Sequence, residues 1–183
     1  MKKCLTPVTV LAVVGLLSAC SNADKASVKS ADKSAPTQAS ALLAPTQGNV
    51  VQGKVSFKQE ADNGIRVTVE VSGLTPGSHG FHIHEKGDCS APDASSAGGH
   101  FNPHQTAHGK IGEGAHHAGD LPSLEADAQG NAGFDTVLNS ITFSGEHTII
   151  GRSLIVHADP DDYVSQPTGN SGPRVACAVI QQD

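Results

Sequence analysis

The chain has 183 residues, a formal charge of −6 at neutral pH, one tyrosine and no tryptophan. With no basic run and little aromatic surface to stack on bases, it is not a nucleic-acid binder. Its length suits one domain with an ample core.

The first segment, MKKCLTPVTVLAVVGLLSAC, sets Lys2 and Lys3 before an apolar run and small residues before Cys20. Residues 1–19 are therefore predicted to be a secretory signal peptide, too short to span a bilayer comfortably. The ending Leu17-Ser18-Ala19-Cys20 resembles the bacterial lipobox, which implies a lipidated Cys20 and a lipoprotein held to a membrane. Ordinary cleavage after Ala19 is the alternative. Ser21 in place of an aspartate favours the outer over the inner membrane, with the protein in the periplasm. Residues 20–36, rich in Ala, Ser and Lys, read as a flexible tether. Losing Lys2 and Lys3 takes the formal charge from −6 to −8. Cys4 leaves with the signal peptide and Cys20 takes lipid, so Cys89 and Cys177 remain. In an exported domain they are expected to form one disulfide, two free thiols being the alternative.

Residues 37–183 form the expected folded domain. QASALLAP supplies a weak first strand. VVQGKVSF and IRVTVEVSGL alternate and are joined by the Asp62-Asn63-Gly64 turn. GFHIHE follows a turn at Thr75-Pro76-Gly77, and AGFDTVL, TIIGRSLIVH and RVACAVIQ complete the set. The pattern predicts an all-β fold, an eight-stranded antiparallel Greek-key barrel or sandwich. Two long irregular stretches, Gly87–Ala128 and Ala158–Pro173, are expected to be functional loops.

Seven residues stand out as metal-ligand candidates: His82, His84, His100, His108, His117, Asp120 and His157. On a strand, His82 and His84 share one face about 7 Å apart, opposite Phe81 and Ile83. With His157 at the end of another strand and His100 from the loop, they make a four-imidazole set, which suits Cu(II). His100, His108, His117 and Asp120 make a His3Asp set, which suits tetrahedral zinc. His100 belongs to both, so it would have to bridge two cations as an imidazolate.

GFHIHE, GGHFNP, HHAGD, GRSLIVHADPDD and GNSGPRVACAVI together resemble the copper/zinc superoxide dismutase family over essentially all of residues 37–183. The resemblance implies copper on His82, His84, His100 and His157, and zinc on His100, His108, His117 and Asp120, one of each metal per chain. It implies that Asp161 links the two sites by accepting hydrogen bonds from a histidine of each. It also implies that Arg174 stands beside the copper as a catalytic residue and that His100 takes up a proton when copper is reduced. The implied reaction converts superoxide to O2 and hydrogen peroxide. The two dications and Arg174 would outweigh the negative charges of Asp120 and the His100 imidazolate, so the site would attract an anion despite an acidic exterior.

Asp161–Arg174 lacks the Glu/Lys steering cluster of eukaryotic relatives, with Lys86 and Lys110 as candidate substitutes. Cys89, five residues after His84, resembles bacterial exported members, whereas HFNPHQTAHG resembles the eukaryotic pattern. The two groups pair through different surfaces, so the sequence leaves open both the interface and whether the chain is a homodimer. His116 competes with His117 for the zinc set, and the three-residue spacing to Asp120 favours His117. His79, His104 and His147 read as structural or exposed. The rival reading is a non-catalytic copper/zinc buffer or chaperone on the same fold.

Overall fold

The computed structural model describes residues 36–183; the expected signal peptide, Cys20 and the tether through residue 35 lie outside the described residues. Strand β3 (Ile65–Ser72) buries Ile65, Val67, Val69 and Val71 and turns Arg66, Thr68 and Glu70 outward. That is the two-residue period of a sheet with one wet face. β3 pairs antiparallel with β2 (Gln52–Gln59) and with β7 (Ala132–Leu138). The tight turn between β2 and β3 holds Asn63 at φ 68°, a left-handed conformation that asparagine tolerates.

β1 (Gln38–Pro45) reads as a weak strand because of its alanines, yet it is central. Ala39, Ala41 and Leu43 are buried, and it pairs with β2, β9 (Arg174–Val179) and β10 (Gln181–Gln182). β9 pairs with β8 (Ser153–His157), and β8 with β5 (Phe81–His84). The result is an eight-stranded sheet ordered β5-β8-β9-β1-β2-β3-β7, with β10 on β1 and every pairing antiparallel. The end strands meet through side chains: Phe81 of β5 packs edge-on against Phe134 of β7, ring centroids 6.1 Å apart. The sheet therefore curls around its core as the predicted barrel or sandwich.

The strand bounds depart from the sequence reading at particular backbone groups. TIIGRSLIVH becomes strand only at Ser153, because the chain turns through Ile149–Arg152 with Gly151 at φ 77°. RVACAVIQ splits at Ile180, whose N–H donates to Arg152 O (2.9 Å) and whose carbonyl accepts from Gly151 N (2.8 Å). A small ladder of β4 (Gly77–His79) on β6 (Leu124–Ala126) was not expected from the sequence.

β5 and β8 are buried along their whole length. Phe81, Ile83, Leu154 and Val156 belong to the main core. On the opposite face, Ile155 and Cys177 pack with Ala94, Ala97 and Cys89 of the first long loop, and Cys89 is disulfide-bonded to Cys177. The loop is thus fastened over the face that carries His82, His84 and His157.

Candidate metal centre

The free edge of β5 receives the loop as if it were further strand. Glu85 N donates to Gly99 O, Phe101 N to Ile83 O and Ile83 N to Gly119 O, all at 2.8–2.9 Å. His84 thereby pairs with His100, and His82 with Asp120. Gly119 sits so close that a Cβ there would collide with the Ile83 carbonyl. Backbone pairing therefore draws residues 14 to 38 positions apart in sequence into one place.

Two groups result, His82, His84, His100 and His157, and His100, His108, His117 and Asp120, each with its candidate donor atoms within 4.8 Å of one another. All seven residues are buried. His82 Nδ1, His84 Nε2, His100 Nε2, His108 Nδ1 and His157 Nε2 are buried nitrogens with no hydrogen-bond partner. Leaving that many polar atoms unpaired is costly unless something else satisfies them.

The partnered nitrogen on each ring shows which atom is left to bind. His84 Nδ1 donates to Gly98 O (2.9 Å) and His157 Nδ1 to Gly172 O (3.2 Å), so each presents Nε2. His82 Nε2 bonds Asp161 Oδ2 at 2.7 Å and so presents Nδ1. His108 Nε2 bonds Asp161 Oδ1 at 2.9 Å, and one carboxylate therefore links a ring from each group. Such partners fix ring orientation and tautomer in metal sites.

His100 is the exception: its Nδ1 lies 2.9 Å from Asp120 Oδ1 while its Nε2 faces the all-imidazole group. In the second group, His108 Nδ1 stands 3.1 Å from Asp120 Oδ2 but out of hydrogen-bond alignment. His117 Nδ1 lies 3.3 Å from both His100 Nδ1 and Asp120 Oδ1. Donors on a tetrahedral zinc with arms of about 2.0–2.1 Å stand about 3.3 Å apart, so these spacings fit. The four-imidazole group lacks thiolate and carboxylate, a donor set that suits copper. Both groups are compatible with metal sites.

Electrostatics sets His108 apart from His84, His100 and His157. Burial, reinforced by neighbouring imidazoles, pushes His84 well below the usual histidine value and His157 to about 3. Burial also lowers His100, to about 4, against the pull of Asp120. These rings are neutral at pH 7. Burial opposes charging His108 too, but the adjacent Asp120 carboxylate and the hydrogen bond to Asp161 outweigh it and raise His108 to about 9. Both carboxyls are held well below the ordinary range, because the histidine hydrogen bonds overcome the cost of burying them.

Arg174 lies opposite His157 across β8 and β9, half-buried. Its guanidinium donates to Ala94 O and, at 2.6 Å, to Gly98 O, the carbonyl that also holds His84. Asp93, Gly172 and Pro173 line a surface hollow with it. Lys110 is paired with Glu113 at 2.6 Å, which partly cancels its charge as a steering group. His116 stays outside both groups, donating to His117 O. His79 is buried behind His157, with its ring nitrogens facing His157 O and Thr75 O.

Sequence reading missed the supports supplied by backbone carbonyls, Gly98 O and Gly172 O, which leave no side-chain signature. It also missed Gln166, whose amide brackets the His108 backbone, accepting from its N–H (2.8 Å) and donating to its carbonyl (3.0 Å).

A crystal structure described as that of the clock protein EA4 is similar to this chain at 39% identity and a TM-score of 0.75, covering 81% of this chain and 96% of that one. The family model for copper/zinc superoxide dismutase (SODC) matches residues 51–180, the span that holds both residue groups, Arg174 and the disulfide. The chain belongs to the copper/zinc superoxide dismutase family.

Proposed function

We propose that this chain is an active superoxide dismutase, with copper held by His82, His84, His100 and His157 and zinc by His100, His108, His117 and Asp120. The observation that carries the reading is the set of unpartnered buried imidazole nitrogens converging on two centres that share His100. Bound copper supplies one-electron exchange, oxidising one superoxide to O2 and passing the electron to a second, which with two protons becomes hydrogen peroxide.

The chain's own residues do the rest. Arg174 is a fixed cation next to His157, suited to drawing in a small anion and orienting it. His100 Nε2 is the site at which a proton can be held and then passed to the departing peroxide. Asp161 keeps His82 and His108 aimed, so the two groups behave as one unit. The same proposal sets the chain outside the cytoplasm, in the periplasm, anchored through lipid on Cys20. The Cys89–Cys177 bond supports this, since such bonds persist in oxidising compartments.

The test is superoxide decay by the chain loaded with copper and zinc, with and without cyanide. Cyanide-sensitive catalysis is expected. A full load of both metals with no turnover would instead identify a metal carrier.

A further inference from the structure

Away from both groups, His104, Glu146 and His147 bring two imidazoles and a carboxylate together at the surface, with candidate donor atoms within 4.8 Å of one another. We propose that they form a third metal site, for a borderline divalent transition cation of the Zn2+ class.

His104 and His147 lie 43 positions apart in sequence, yet their Nε2 atoms are 2.7 Å apart and their ring centroids 4.6 Å. Two nitrogens so placed share a single proton, or each turns a lone pair to a common cation. His147 is already set as a ligand: its Nδ1–H donates to Ser140 O at 2.9 Å, which leaves Nε2 bare. His104 needs only to move its proton to Nδ1, so both rings bind as neutral imidazoles. A Zn2+ ion with arms of about 2.0–2.1 Å would require the two nitrogens to part by about 0.6 Å, which the exposed His104 ring can do.

A second observation points the same way. Ser140 Oγ is buried and has no partner, and it lines a small hollow with His104, His147, Asn102 and Thr106. A hydrated cation, carrying water in the positions the protein leaves open, offers that hydroxyl a partner. Imidazole with carboxylate is the donor set that zinc accepts at open sites.

The site would also have a mechanical effect. His104 lies in the turn that opens the segment bearing His108 and His117, and His147 in the turn that leads into β8 and His157. A cation between them would tie these two loops together without using any residue of the paired groups.

The test compares zinc bound per chain, by equilibrium dialysis and metal analysis, in the full chain and in His104→Ala/His147→Ala. The difference isolates this site whatever the paired groups hold. One zinc fewer is expected in the double variant, together with loss of the last zinc-induced rise in melting temperature. Glu146→Gln should weaken that equivalent several-fold. Both altered side chains are at or near the surface, so folding should survive, as circular dichroism would verify. Equal zinc content in the two proteins would overturn the proposal and leave a hydrogen-bonded imidazole pair.

Discussion

Asp161 holds two imidazoles on one carboxylate, and an amide in its place cannot. Asparagine offers one acceptor oxygen and one NH2, so one of the two ring N–H groups would meet another donor. Asp161→Asn should lower zinc affinity roughly 10–100-fold, read by competition with a chelator. Unchanged affinity would show that the rings need no such tether. His108 makes the pH dependence explicit. Raised to about 9 without metal, it carries a proton at neutral pH that zinc must displace. Zinc affinity should therefore fall about tenfold per pH unit below 9 from this group alone. A flat profile between pH 6 and 8 would contradict it. On the metal-free fold the same shift acts in the opposite sense. Protonated His108 stabilises fully below about 6.5, and that contribution, at most about 3 kcal/mol, is lost as pH rises through about 9. The melting temperature of the metal-free chain should fall across that window.

At the scale of elements, the disulfide does two jobs. It closes a span of 88 residues, worth about 4–5 kcal/mol in the chain-entropy picture, and it pins the loop whose Ala94 and Gly98 carbonyls hold Arg174. Cys89→Ser should lose stability of that order. It should also lose superoxide turnover at temperatures where the fold persists; full turnover there would contradict the link to Arg174. Much of this architecture was legible in sequence. Val67, Val69 and Val71 alternate with polar residues and declare a strand, and His82-x-His84 declares a shared face. β1 was only weakly legible, because its alanines carry little hydrophobic signal and its burial comes from neighbours on either side. The β4–β6 ladder and the loop's attachment to β5 were not legible at all. Both rest on backbone hydrogen bonds between distant segments, which any side chain permits. Gly119 is a partial exception, since only a missing side chain allows that approach. The seven clustered residues could be named from spacing; which nitrogen each ring presents depends on carbonyls such as Gly98 O and Gly172 O.

For the whole molecule, the proposed function raises the question of how a chain with a formal charge of −6 would draw in an anion. In the proposed centre the metal charges and Arg174 outweigh Asp120, so attraction is local while the distant surface repels. Raising ionic strength should slow a diffusion-controlled reaction that is steered in this way. Arg174→Ala should lower the rate about tenfold or more and flatten its salt dependence, with both metals still bound. The central claim is that the two residue groups form one copper/zinc centre for superoxide. Its most direct test is the rate of superoxide decay with the chain carrying one copper and one zinc, set against the chain carrying zinc alone. Rapid catalysed decay with copper present and none with zinc alone is predicted. No catalysis despite both metals in place would contradict the account and leave a metal-holding protein built on a dismutase fold.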